Sequence, residues 1–147
     1  MRAADLAADF PMVTLGTSAL EAARLLAAQN LPGLVVLDDD GRPSTILPGT
    51  QVLRLAVPRY IQDDPALARV IDEAHADLFL DALDEHTVRE LLPREPRELA
   101  VVRPQATVLE VAALMARTRS PLVVVADKDG IRGCITLDAL LDRILGT

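Results

Sequence analysis

Two stretches of the chain carry the same succession of apolar and polar positions. Leu20, Ala23 and Ala27 recur at helical spacing, and Leu109, Ala112 and Ala116 do so again. Apolar residues at that period build a one-sided helix. Ser18 stands before the first run with Glu21 three places on, and Thr107 before the second with Glu110. At this spacing a hydroxyl and a carboxylate cap the open N–H groups of a helix start. Both helices should stop near Asn30 and Arg119, ahead of Pro32 and Pro121, because the residue before proline disfavours helical dihedrals. Short continuous apolar runs follow, at 34–37 and 123–125, as expected of buried strands. Asp38 to Gly41 and Asp127 to Gly130 supply turns, since glycine accepts positive φ and aspartate bonds its own backbone. Second strands are predicted over 44–47 and 132–136, closing helices over 51–56 and 137–145, and a short strand before each first helix, at 12–15 and 100–103. Each half reads β-α-β-β-α.

A shift of 89 positions lays residues 13–56 on 102–145 without a gap, with 14 identities in 44 positions. Val13 meets Val102, Pro32 meets Pro121, and Asp38, Asp40 and Gly41 meet Asp127, Asp129 and Gly130. One such unit exposes an apolar sheet face, and two copies burying those faces together resolve the problem. The fold class predicted is therefore α/β (α+β), two repeats related by pseudo-twofold symmetry. Residues 58–86 have no counterpart in the repeat. Asp64 followed by Pro65 reads as a helix start, and apolar residues at 67, 70, 71, 74, 78 and 79 carry that linker helix to about residue 84. Its other face is acidic, with Asp72, Glu73, Asp77, Asp81, Asp84 and Glu85. The division expected is repeat 1 at 1–57, a helical linker at 58–86 and repeat 2 at 87–147.

Composition narrows the classes. Half of the 147 residues are hydrophobic but only 2% aromatic, so the core is aliphatic. A net charge of −7 repels phosphate backbones, which argues against nucleic acid as a general partner. Cys134 is the single cysteine, so no internal disulfide forms, and a reducing, cytoplasmic setting fits. No stretch reaches the roughly 18–20 apolar residues of a membrane helix, so no membrane insertion is expected.

The segment "ATVLEVAALMARTRSPLVVVADKDGIRGCITLDALL" (106–141), the lead-in "TVRELLP" (87–93) and the repeat itself resemble the tandem CBS domain pair, or Bateman module. The resemblance covers most of the chain. It implies a two-lobed module that dimerises, binds an adenosine-containing ligand in clefts between its lobes and regulates a separate enzyme or transporter. The chain is thus expected to be a stand-alone regulatory protein and a homodimer. No cofactor is required; the candidate ligands are AMP, ADP, ATP or another adenosyl compound.

The family's nucleotide signature resembles G-h-h-T-x-x-D, in which the hydroxyl contacts phosphate and the carboxylate accepts from ribose hydroxyls. In the second repeat Gly133 and Thr136 match, Ala139 stands at the acidic position, and Asp138 lies one residue early, about 100° around the helix. In the first repeat the gapless alignment puts Leu47 at the hydroxyl position and Thr50 at the acidic one. Pro121 and Leu122 would flank the second site, while Arg119, Arg94 and Arg97 would supply positive charge for a phosphate. The ligand-binding set expected is thus Gly133, Thr136, Asp138, Arg119, Pro121, Leu122, Arg94 and Thr50. Each has a plainer role open to it: Thr136 as a helix cap, Asp138 as a first-turn acid, the arginines as solvated surface.

No motif of nucleophilic, phosphoryl-transfer or metallohydrolase chemistry occurs, so the protein is not expected to be an enzyme. Cys134 lies in an apolar strand and reads as core. His75 and His86 bracket the linker helix without the close ligand spacing of a metal site, and Tyr60 is expected to pack where the linker meets a lobe. Two other readings stand beside the sensor. One is a module that binds no ligand and serves dimerisation or partner binding. The other is a divalent-cation sensor using the acidic linker and turns.

Overall fold

The computed structural model describes residues 1–57, 62–64, 66 and 80–146. They form two compact units. The first-repeat unit is Met12–Arg97; the second-repeat unit joins Met1–Pro11 to Glu98–Thr147.

In the first-repeat unit β1 (Met12–Thr14) leads to α2 (Ala19–Ala28), β2 (Gly33–Leu37), β3 (Pro43–Pro48) and α3 (Gly49–Ala56). Here α1 (Ala3–Leu6) precedes them in the chain. The sheet order is β1-β2-β3, with β1 parallel and β3 antiparallel to β2. After α4 (Val88–Leu91), the second-repeat unit repeats the order with β4 (Val101–Val102), α5 (Val108–Thr118), β5 (Leu122–Asp127), β6 (Gly130–Thr136) and α6 (Leu137–Leu145). Its sheet order is β4-β5-β6, with the same parallel and antiparallel pairs. The chain is thus two β-α-β-β-α repeats of α+β type.

The helix starts follow the sequence signals. The Ser18 hydroxyl accepts from the Glu21 N–H at 3.0 Å. At α5 the exchange is reciprocal: Thr107 accepts from the Glu110 N–H at 3.2 Å, and Glu110 accepts from the Thr107 N–H at 2.7 Å. Both helices stop in a left-handed residue, Asn30 (φ 51°) and Arg119 (φ 54°). The next N–H in each then bonds five residues back, Leu31 to Leu26 at 3.0 Å and Ser120 to Met115 at 3.2 Å, which satisfies a terminal carbonyl.

Both cores are aliphatic. Val13, Ala22, Leu34, Val36, Leu47 and Val52 pack in one, and Val111, Met115, Val123, Val125, Ile135 and Leu140 in the other. The lead-in helices are exchanged between repeats. The α4 segment precedes the second repeat in sequence, yet Val88 and Leu91 lie in the core of the first. The Val88 N–H donates to Thr17 O at 2.8 Å and Arg89 N–H to Leu15 O at 3.0 Å. In the same way α1 serves the second repeat: Ala3 is buried in its core, with Ala3 N–H on Ala106 O at 2.8 Å and Ala4 N–H on Pro104 O at 2.9 Å. Compact units and sequence repeats are therefore different divisions of the chain.

The repeats also differ by one residue in the hairpin turn. Leu37 pairs with Pro43, whereas Ala126 pairs with Ile131. The first turn is thus one residue longer, and positions after it correspond at a shift of 88, not 89. Burial confirms the shorter shift. Val52 (4% exposed) matches Leu140 (2%), and Leu53 (49%) matches Leu141 (41%). The gapless alignment holds up to the turn and slips by one beyond it.

Most of the expected linker helix, including Pro65, Asp72, Glu73, His75 and Asp77, lies outside the described residues, as does Tyr60. Residues 80–84 are helical, with Leu83 buried against the first core and Asp81, Asp84 and Glu85 exposed.

Candidate functional site

The strand β6 runs from a tight glycine to a capping threonine. Gly133 has φ of 149°, and a Cβ there would meet the Ala8 carbonyl oxygen at 2.7 Å. The space is filled by the N-terminal strap, in which Ala8 exchanges both backbone hydrogen bonds with Cys134, at 3.0 and 2.9 Å. The structure thus gives Gly133 a packing task. Cys134 is buried beneath this contact, and burial pushes its thiol up to about 12, which leaves no thiolate for chemistry near neutral pH.

At the other end of β6, the half-buried Thr136 is the N-cap of α6. Its hydroxyl oxygen accepts from the Ala139 N–H at 3.2 Å. That use consumes a lone pair and leaves the hydroxyl proton to donate. Asp138 is exposed in the first turn of α6. There its carboxylate suits the helix dipole but repels a phosphate. The Pro121 carbonyl accepts from the Leu137 N–H at 2.9 Å, tying the start of β5 to the start of α6. Leu122 is fully buried, with its backbone held by the Ser120 hydroxyl.

Arg119 and Pro121 line a different feature, a groove of about 580 Å³ between α5 and α6. Met115, Leu137, Leu141 and Ile144 make it apolar. Thr136, Asp138, Gly133 and Leu122 are absent from that lining. Leu137, Leu141, Ile144 and Leu145 are large apolar side chains left exposed on α6, and Leu109 is another on α5.

In the first-repeat unit the turn insertion moves the motif by one position. Pro48, not Leu47, stands at the place of Thr136 and is the N-cap of α3, without a side-chain acceptor. Gln51, not Thr50, stands at the place of Ala139. Thr50 corresponds to Asp138 and is exposed. The equivalent backbone ties confirm this: Gly49 N–H on Pro32 O at 3.1 Å mirrors Leu137 N–H on Pro121 O. Sequence reasoning missed Gln51 because the extra turn residue was invisible without strand register. Its amide donates to the Leu91 carbonyl at 2.9 Å.

Arg94 lines a second pocket of about 330 Å³ with Gln51, Arg54 and Glu90. Glu90 hydrogen-bonds to His86, and this bond holds the Glu90 carboxyl below its ordinary value. The Arg97 carbonyl accepts from the buried Thr45 hydroxyl at 2.7 Å. Among the described residues, no three His, Cys, Asp or Glu side chains gather as a metal would require, and no helix is long and apolar enough to cross a membrane.

Comparison with known proteins agrees with this architecture. The CBS domain family matches residues 3–49 and 88–146. Among solved structures, a CBS domain-containing protein of unknown function from Kribbella flavida is 52% identical over 99% of both chains, with a TM-score of 0.87. CBSX2 in complex with AMP shares the fold at 20% identity, covering 99% of this chain and 96% of that one, with a TM-score of 0.67. The CBS domain of a membrane protein from Sphaerobacter thermophilus is 19% identical over 97% and 86% of the chains, with a TM-score of 0.71. A search of curated proteins gave no match.

Proposed function

Since the chain belongs to the CBS domain family of non-catalytic regulatory modules, here in two tandem copies, we propose that it senses an adenosine-containing ligand and regulates a separate partner protein. The observation that carries this reading is the β6–α6 junction. The Thr136 hydroxyl keeps a free proton to donate to phosphate while its oxygen caps the helix. Asp138 is exposed two residues further on and offers carboxylate oxygens to ribose hydroxyls. Pro121 is tied to the same junction, and Arg119, two residues before it, is the cation proposed to offset ligand charge. The AMP complex of CBSX2 makes AMP the first ligand to try.

The test is a thermal-shift and calorimetry panel on ligand-stripped protein with AMP, ADP, ATP, NAD, S-adenosylmethionine and Mg²⁺. Binding of one adenine compound, lost in Thr136→Ala and kept in Thr136→Ser, supports the sensor. Serine retains both cap and proton donor, so it separates loss of the ligand contact from loss of fold. Silence across the panel from a folded protein defeats it.

Two features favour a second reading, a homodimeric interaction module that needs no ligand. Ala139 and Gln51 replace the acidic residue of the motif in both repeats. The exposed apolar side chains of α5 and α6 suit a protein surface that is covered in use. That reading gains if sedimentation finds a dimer and the ligand panel stays silent.

A further inference from the structure

The two lead-in segments leave their helices differently. After α1 comes a strap, residues 7–11, in which Ala8 exchanges both backbone hydrogen bonds with Cys134 of β6. After α4, the residue equivalent to Ala8 is Pro93, which has no N–H to donate. Thr45, which carries a Cβ, stands where Gly133 would be. The chain meets β3 further on instead, where the Thr45 hydroxyl donates to Arg97 O. The edge of β6 is thus closed by its lead-in, and the edge of β3 is not closed in this way.

The closed edge belongs to the junction that carries Thr136. β6 is the last strand of its sheet, so its free side presents backbone groups that a neighbour can reach. Ala8 takes both the N–H and the C=O of Cys134, at 2.9 and 3.0 Å. Its carbonyl oxygen stands 2.7 Å from where a Gly133 Cβ would be, which leaves no layer for another molecule between strap and strand. The bridge is antiparallel, so the residues before Ala8 run toward Thr136, and α1 lies against β6. A ligand that uses Gly133 and Thr136 together therefore meets the strap. The strap itself is loosely tied, since none of residues 7–11 is buried. Ala3 anchors α1 separately, through the core and through its N–H on Ala106 O. Lifting Ala8 breaks two backbone hydrogen bonds and leaves that anchor in place.

We propose that the strap is a gate on the second-repeat junction: ligand and strap compete for the β6 edge at Gly133 and Cys134, so binding there requires the strap to lift. The gate rests on the adenosine reading above, because it regulates that same site. When only a fraction of the molecules is open, the apparent dissociation constant rises by the inverse of that fraction. Ligand in turn draws the strap off, by linkage. The lifted strap is then a segment that differs between the free and bound states, as a sensor needs if a partner is to read it.

The test compares forms of the full chain, each titrated with AMP and with ATP by calorimetry. Ala8→Pro removes the N–H of the strap, and Ala7 is already extended (φ −65°, ψ 132°), as a following proline requires. Ala8→Cys can be oxidised onto Cys134, the single native cysteine, because residues opposed in such a bridge lie about 5.5 Å apart, within disulfide reach. Affinity is expected to be roughly threefold to tenfold tighter in Ala8→Pro than in wild type. Binding should be abolished in oxidised Ala8→Cys and restored by reduction. On the unaltered protein, ligand should speed amide hydrogen exchange at Ala8, and this readout stands even if a variant folds poorly. Equal affinity in all forms, or slower exchange at Ala8 with ligand bound, would overturn the gate and leave the adenosine reading intact. No binding in any form, Ala8→Pro included, would defeat both.

Discussion

Replacing Gly133 with alanine tests how the N-terminal strap is held. The new Cβ would sit 2.7 Å from the Ala8 carbonyl oxygen and 3.2 Å from the Ala8 nitrogen and carbonyl carbon. All three are backbone atoms, so no flexible side chain can yield. The φ of 149° adds strain that glycine escapes, roughly 1–3 kcal/mol for a side-chain-bearing residue. If the strap lifts away, the two Ala8–Cys134 backbone hydrogen bonds go with it, at about 0.5–1.5 kcal/mol each. The expected loss is about 2–6 kcal/mol. With a urea slope of about 1–3 kcal/mol per molar, the midpoint falls by roughly 2 M at the centre of both ranges. A double-mutant cycle with Ala8→Pro isolates the contact. Once proline has removed the Ala8 N–H, Gly133→Ala should cost only its backbone strain. Labelling of Cys134, the single cysteine, reads the same event locally, since its thiol is buried. Labelling under native conditions should accelerate in both variants. Equal destabilisation by Gly133→Ala in both backgrounds, with labelling unchanged, would refute the strap as the reason for the glycine.

Two more outcomes follow from the first-repeat unit. Leu91→Ala should destabilise by about 2–5 kcal/mol; methyl resonances of Leu34 and Val36 should shift while those of Val123 and Val125 stay, and the reverse pattern would place α4 in the other core. The His86 hydrogen bond holds the Glu90 carboxyl below its ordinary 4.5, so its contribution is present above the unfolded value and lost as pH falls through the folded one. Urea melts of wild type and Glu90→Gln should therefore converge as pH drops below about 4.5, and a gap independent of pH would remove the pair as its source.

The order of elements was legible because each boundary has a local cause. Ser18 and Thr107 cap, Pro32 and Pro121 stop the helices, and Gly41 and Gly130 turn with positive φ. Two features were hidden because they are not local. The first is the register beyond the turn. Identity with Ile135 and Arg143 at the longer shift pulled Ile46 and Arg54 one place out of step, and only strand pairing shows that Ile46 matches Cys134. The second is the exchange of lead-ins. Nothing in "TVRELLP" says which core Val88 and Leu91 enter, since both cores are aliphatic and would accept them.

Both hidden features bear on the sites. With the register corrected, Gln51 and Ala139 stand at one structural position, and neither can act as a carboxylate. A ligand at either junction must therefore be held by other groups, and what is available differs. In the second-repeat unit the strap closes over Gly133, and the polar groups at hand are Thr136 and Asp138, a proton donor and an anion. In the first, Pro93 and Thr45 keep the lead-in off the strand, and Arg54, Arg94 and Gln51 line the space. An anionic side chain repels a bare phosphate and favours hydroxyls, while paired guanidiniums do the reverse. Two repeats with the same order of elements thus present different polar groups at matched junctions, traceable to one turn residue and to an alanine, a glycine, a proline and a threonine in matched places. Swapping Thr45 and Pro93 for glycine and alanine should, by this logic, let the second lead-in pair as the first does, read as slower amide exchange at Ile46, the counterpart of Cys134; exchange there unchanged from wild type would refute it.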